Sequence, residues 1–178
     1  MASAAASDNL DFRFERQRSL MVATHLESRG ISDPRVLAAM TRVPRQEFVP
    51  NDVRDEAYRD GPLPIGYGQT ISQPYTVAMM CEALLLTGNE NVLEVGTGSG
   101  YAACVLSYLA RQVHTIERIP DLARFAEARI QKLGIKNVRV HIGDGSRGLP
   151  EAAPFDAIVV TAGGPSLPPD FVHQLAEA

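Results

Sequence analysis

Hydrophobic and polar positions along the chain change their spacing partway through, and the change divides it in two. Up to about residue 87 the spacing is helical. Residues 1–11 read as a loose polar start, and Leu20, Val22, Ala23 and Leu26 then mark one face of an amphipathic helix over residues 12–29. Gly30 is placed to stop it. Asp33-Pro34 reads as an N-cap followed by proline at the first helical position, with Val36, Leu37, Met40 and Val43 continuing the helix until Pro44. Residues 44–72 are rich in proline, glycine and aspartate and predict a long ordered loop, a kind of segment that usually serves function in a compact domain. Pro74 opens another helix with Val77, Met80, Cys81, Leu84 and Leu85 on one side.

After Gly88 short β-branched runs alternate with helical stretches. The strands are predicted at residues 91–95, 113–117, 138–142 and 157–161, and the helices at 99–110, 120–133 and from about 168. Such alternation predicts an α/β fold with parallel strands, right-handed crossovers and helices on both faces of the sheet. The expected organisation is one domain over residues 1–178, with N-terminal helices and a loop in 1–87 and an α/β core in 88–178.

Composition adds exclusions. With 45% hydrophobic and 21% charged residues the chain resembles an ordinary globular protein. A net charge of −4, spread over both halves, gives no basic footprint for nucleic acid or an anionic membrane. Cys81 and Cys104 lie far apart and read as buried free thiols in a reducing compartment. The four histidines are scattered, so no metal site is expected. The first residues lack a basic and an apolar region, so they are no signal peptide, and no apolar run approaches the ~20 residues of a membrane span. A cytoplasmic monomer is expected.

Candidate chemistry sits at the strand ends. Glu94-Val95-Gly96-Thr97-Gly98-Ser99-Gly100 follows the first core strand, and in open α/β sheets ligands bind outside the carboxyl ends of strands. A dinucleotide fingerprint needs GxGxxG; here the spacing is GxGxG, with Tyr101 where the last glycine would stand. Glu117 ends the second core strand, where a carboxylate can accept from both hydroxyls of a ribose. Asp144, in Gly143-Asp144-Gly145, follows the third. Each acid alone could be a surface residue or a helix cap, and the glycine turn could be a plain connection.

The glycine loop resembles motif I of S-adenosylmethionine-dependent methyltransferases. The stretch from Asp60 to Tyr75, DGPLPIGYGQTISQPY, with Val43-Pro44-Arg45 and Phe48-Val49-Pro50 upstream, closely resembles the protein-L-isoaspartate (D-aspartate) O-methyltransferase family. Thr161-Ala162-Gly163-Gly164-Pro165 is similar to that family's substrate-side turn, where alanines are more usual. The resemblance implies a Rossmann-like class I S-adenosylmethionine-dependent methyltransferase fold with an N-terminal helical extension. It implies methylation of the α-carboxyl of L-isoaspartyl and the β-carboxyl of D-aspartyl residues in aged proteins, the first step of repair.

By the same resemblance Ser72 is the active-site serine. Thr70, Ile71, Gln73, Ala162 and Gly163 lie on the substrate side. Glu94, Gly96, Thr97, Gly98, Ser99, Gly100, Glu117, Asp144 and Gly145 hold S-adenosyl-L-methionine, with Asp144 at the adenine. From its residues alone Ser72 is better read as a cap of the helix opened by Pro74. The family continues past the equivalent of Ala178 with a glycine turn and further strands, so an edge strand without a partner is expected here. The competing readings are an S-adenosylmethionine-binding adaptor without catalysis, a class I methyltransferase for another substrate, and a nicotinamide oxidoreductase, which the GxGxG spacing disfavours.

Overall fold

In the computed structural model the described residues are 2–163 and 168–177, with side chains described from residue 12 onward. A long helix α1 (Ala2–Met21) passes into a π turn (Val22–Leu26) and a 3-10 turn (Glu27–Arg29). It therefore starts well before the predicted boundary, because Ala2 to Ala6 favour helix even without an apolar stripe. Gly30 ends the run at φ 98°. In α2 (Pro34–Arg42) the Asp33 side chain accepts from the Arg35 amide at 2.7 Å, which is the predicted cap, and Val36, Ala39 and Met40 face the core.

The segment predicted as a loop holds more structure than its composition suggests. Two 3-10 turns (Arg45–Phe48 and Asn51–Glu56) lead into an antiparallel hairpin, β1 (Leu63–Gly66) and β2 (Gln69–Ile71). Helix α3 (Pro74–Ala83) follows, with proline at its first position.

The core sheet is built from β3 (Asn91–Val95), β4 (Gln112–Glu117), β5 (Val138–Ile142) and β6 (Ala157–Val160). All pairings are parallel, in the order β5-β4-β3-β6. Helices α4 (Tyr101–Leu106) and α5 (Pro120–Lys132) make the first two crossovers. The chain then reverses direction across the sheet, so β6 lies on the far side of β3. Ligand crevices in open α/β sheets form at such a switch point.

The two faces of the sheet are covered unequally. One bears a large core joining α2, α3 and α4 to Val92 and Val113. The other has a smaller cluster of Leu93, Val95, Ile116, Leu149, Phe155 and Phe171. Among the described residues the β5–β6 connection carries two 3-10 turns (Gly145–Arg147 and Pro150–Ala152) in place of a crossover helix, and α6 (Pro169–Gln174) completes this layer. Past α6, Leu175 makes a parallel bridge to Phe155, just ahead of β6.

Candidate active site

Strand register decides which loops meet. Val95 pairs with Ile116 and with Val160, and Glu117 pairs with Ile142, so the carboxyl ends of all four strands lie side by side. The residues just beyond them converge on one edge. Gly96 has φ 102°, and its amide donates to the Ile116 carbonyl at 2.9 Å. A Cβ there would stand 2.8 Å from the Ala162 Cβ and 2.9 Å from the Ala162 nitrogen, so only glycine lets the β3 loop lie against the chain leaving β6.

A cavity of about 340 Å³ opens at this edge. Its lining includes Gly96, Gly98, Glu117, Asp144, Gly145, Ala162 and Gly163. A smaller one, about 40 Å³, is lined by Thr70, Ile71, Ser72, Glu94, Gly96, Thr97, Gly98, Ser99 and Thr161 among others. Thr70, Gly96, Gly98 and Thr161 line both, so the two spaces adjoin. Most of the sequence-predicted site residues are thereby brought together. Two are placed elsewhere: Gly100 packs against α5, where a Cβ would meet the Ala126 Cβ at 3.1 Å, and Gln73 donates to Asp60 at 2.8 Å. Gly164 and Pro165 lie outside the described residues.

The two acids of the larger cavity differ in setting. Glu117 is buried; its carboxylate accepts from the Gly98 amide at 2.9 Å and the Ile119 amide at 3.0 Å. It therefore shapes the glycine loop and retains lone pairs for a ligand. Asp144 is exposed and accepts from the Ser146 amide at 3.0 Å, and that backbone bond holds its carboxyl below the usual range. Ile116, Val160 and Phe171 supply apolar wall between them.

Glu94 is fully buried beneath the smaller cavity. Thr115 donates to one of its oxygens at 2.7 Å and in turn meets the Thr97 hydroxyl at 2.7 Å. Burial pushes the Glu94 carboxyl up to about 8, against the pull of the Thr115 and Thr161 hydroxyls and with help from the nearby Glu117. Ser72 is half-buried, and the helix after it has Gln73 at its N-cap position with no side-chain hydrogen bond. The capping alternative for Ser72 is therefore not the one the fold uses.

Thr161 reads in the sequence only as the start of the substrate-side turn, with no role of its own; its hydroxyl reaches the Gly96 carbonyl at 2.7 Å and Glu94 at 3.4 Å. Its place at the carboxyl end of a predicted core strand was the available signal. Arg118 and Gln69, which line the larger cavity, were also missed.

A parallel sheet with a glycine loop at its switch point and acids at the neighbouring strand ends has the fold of the class I S-adenosylmethionine-dependent methyltransferases. Comparison with known proteins narrows this. A profile of the family described as protein-L-isoaspartate(D-aspartate) O-methyltransferase (PCMT) matches residues 16–178, and the chain belongs to that family. A protein-L-isoaspartate O-methyltransferase 1 from Rhodopseudomonas palustris is 61% identical over 163 residues, 92% of this chain and 66% of the relative. A solved protein-L-isoaspartate O-methyltransferase superposes with a TM-score of 0.82 at 32% identity, over 90% of this chain and 52% of that one. A Plasmodium falciparum crystal structure, given as a beta-aspartate methyltransferase (PCMT) in complex with S-adenosyl-L-homocysteine, gives 0.75 at 28% identity, over 90% of this chain and 80% of that one. The chain thus spans about two thirds of the length of the first curated relative it matches.

Proposed function

We propose that this chain transfers a methyl group from S-adenosyl-L-methionine to the free carboxyl of L-isoaspartyl, and of D-aspartyl, residues in damaged proteins, the step that initiates their repair. The observation that carries this reading is the meeting of the Thr70-Ile71-Ser72 segment with the glycine loop around two adjoining cavities.

The residues present suit the cofactor. A cavity of about 340 Å³ is within the range for a small-molecule site, and it offers a buried carboxylate, an exposed one and an apolar wall. Glu117 is the acceptor for ribose hydroxyls, Asp144 faces the base, and Gly96, Gly98 and Gly145 admit the ligand to the main chain. Thr97 and Ser99 line the smaller cavity with Glu94, an acceptor for the cofactor's ammonium. S-adenosylmethionine supplies an electrophilic methyl carried on a sulfonium.

The substrate carboxylate has an ordinary pKa near 4 and is ionised at pH 7, so no base must prepare it. The protein's task is alignment, which can contribute about 7–11 kcal/mol to a bimolecular reaction at its best. Ser72 donates to a carboxyl oxygen of the substrate from the smaller cavity, with Thr70 at the junction and Ala162 and Gly163 on the wall of the larger one. The proposed partners are proteins or peptides carrying isoaspartyl residues, met by a monomer. The two buried free thiols are in keeping with a cytoplasmic setting. Among the described residues no helix is long and apolar enough to cross a membrane.

The test is a radiolabelled-methyl assay on two peptides of one sequence, one containing an isoaspartyl residue and the other its aspartyl isomer. Label is expected in the isoaspartyl peptide only; equal labelling of both would overturn the assignment.

A further inference from the structure

Arg45 is buried to 0% exposure, yet it has no carboxylate partner among the described residues. Its guanidinium instead binds the main chain at two distant points. Nε donates to the Ala57 carbonyl at 2.8 Å, and Nη2 donates to the Ser72 carbonyl at 2.8 Å. The same group lies over the Tyr101 ring, 4.8 Å from its centroid. Tyr101 is the first residue of α4, directly after the glycine loop, and it lines the smaller cavity together with Ser72. Phe48 packs edge-on against Tyr101, with the ring centroids 5.5 Å apart.

A buried cation is costly unless it is paired and hydrogen-bonded, and here Nη1 finds no partner among the described residues, so what favours Arg45 at this place is the two carbonyls and the ring it holds. Here the rigid planar fork ties residue 72 to the start of α4. Lysine, with one flexible ammonium, could not hold both carbonyls and stack on the ring. We propose that Arg45 is a positioning residue: it fixes the Ser72 main chain against Tyr101 and thereby sets the Ser72 hydroxyl relative to the glycine loop. This rests on the methyl-transfer reading for the effect on turnover, but the anchoring itself is independent of it.

Two measurements separate the two claims. Hydrogen exchange on the ligand-free chain reads the anchoring. Arg45→Lys is expected to speed exchange at the amides of residues 70–73 while β3 and β4 keep their protection; unchanged exchange at 70–73 would overturn the proposal. Methyl transfer to the isoaspartyl peptide reads the consequence. Arg45→Lys and Arg45→Ala are expected to lower kcat by about 10- to 100-fold, the scale of a displacement of about 1 Å in a reacting group. Their affinity for S-adenosylhomocysteine should stay within about twofold of the parent, since the proposal leaves the ligand's own contacts intact. Guanidinium ion added to Arg45→Ala should recover part of kcat, and should do nothing for Ser72→Ala. An equal loss of S-adenosylhomocysteine binding, or no recovery by guanidinium, would assign Arg45 to general stability and overturn the positioning role. If the parent chain methylates neither peptide, the proposed activity fails, and hydrogen exchange alone decides the anchoring.

Discussion

Glu117 holds the glycine loop, and in the proposed function the same side chain also meets the cofactor's ribose. Its two oxygens already accept from the Gly98 and Ile119 amides, so the carboxylate is held rigidly at the cavity wall before any ligand arrives. Hydrogen bonds to a charged group contribute about 1.5–3 kcal/mol each. Glu117→Ala is therefore expected to weaken S-adenosylmethionine binding by at least about 10-fold, measured by calorimetry. Unchanged affinity would refute the ribose role. At this scale the positions of the glycine loop, Glu117 and Asp144 at the strand ends were legible because each falls at a fixed place relative to a strand, whereas Ser72 was singled out by the family resemblance alone. Thr161 and Arg45 stand in stretches that carry the family resemblance, but no local pattern gives either a role. The importance of Thr161 comes from a hydroxyl reaching Gly96 and Glu94 across the sheet, and that of Arg45 from carbonyls 12 and 27 residues away.

Among the elements, the β1–β2 hairpin was the one the sequence concealed. Its strands are too short to display a period of two, and the Gly66-Tyr67-Gly68 turn, at positive φ throughout, resembles loop chemistry. Tertiary contacts make it a hairpin. Ile65 packs toward Gly98, and the Tyr67 hydroxyl donates to Asp121 at the start of α5 at 3.2 Å. The hairpin thus crosses above the glycine loop and is pinned on its far side, with Gln69 and Thr70 at the cavity rim. Tyr67→Phe removes only the pin. It is expected to speed S-adenosylhomocysteine dissociation by about 2- to 10-fold, a small value for a bond to a carboxylate because this one is exposed to water. Stopped-flow measurement of the off-rate checks this, and an unaltered rate would show that the hairpin does not gate the cavity.

For the whole molecule the buried Glu94 couples the site to stability. Burial raises its carboxyl to about 8, whereas an unfolded chain ionises it near 4.5. Between those values the folded protein keeps a proton that the unfolded one has released, so this group makes stability fall as pH rises from about 4.5 to about 8. Glu94→Gln keeps the shape and removes the titration. The variant's melting temperature should match the parent's near pH 5 and exceed it at pH 8, by about 2–4 °C for each kcal/mol of the relieved cost. Thermal unfolding of the ligand-free proteins at the two pH values measures the difference; parallel profiles would show that Glu94 is ionised in the folded state.

Local pattern by itself determined the order and type of the core elements. Caps such as Asp33-Pro34, stops such as Gly30 and β-branched strand runs act over a few residues, so they are visible in the order of residues. The placement of the glycine loop and the acids at strand ends followed from the same local rules. Only the tertiary structure decided that β6 returns beside β3, that one face of the sheet is covered thinly, and that the 70–72 segment meets the glycine loop. Those outcomes depend on register between strands and on packing between residues far apart in the chain, which no local spacing encodes.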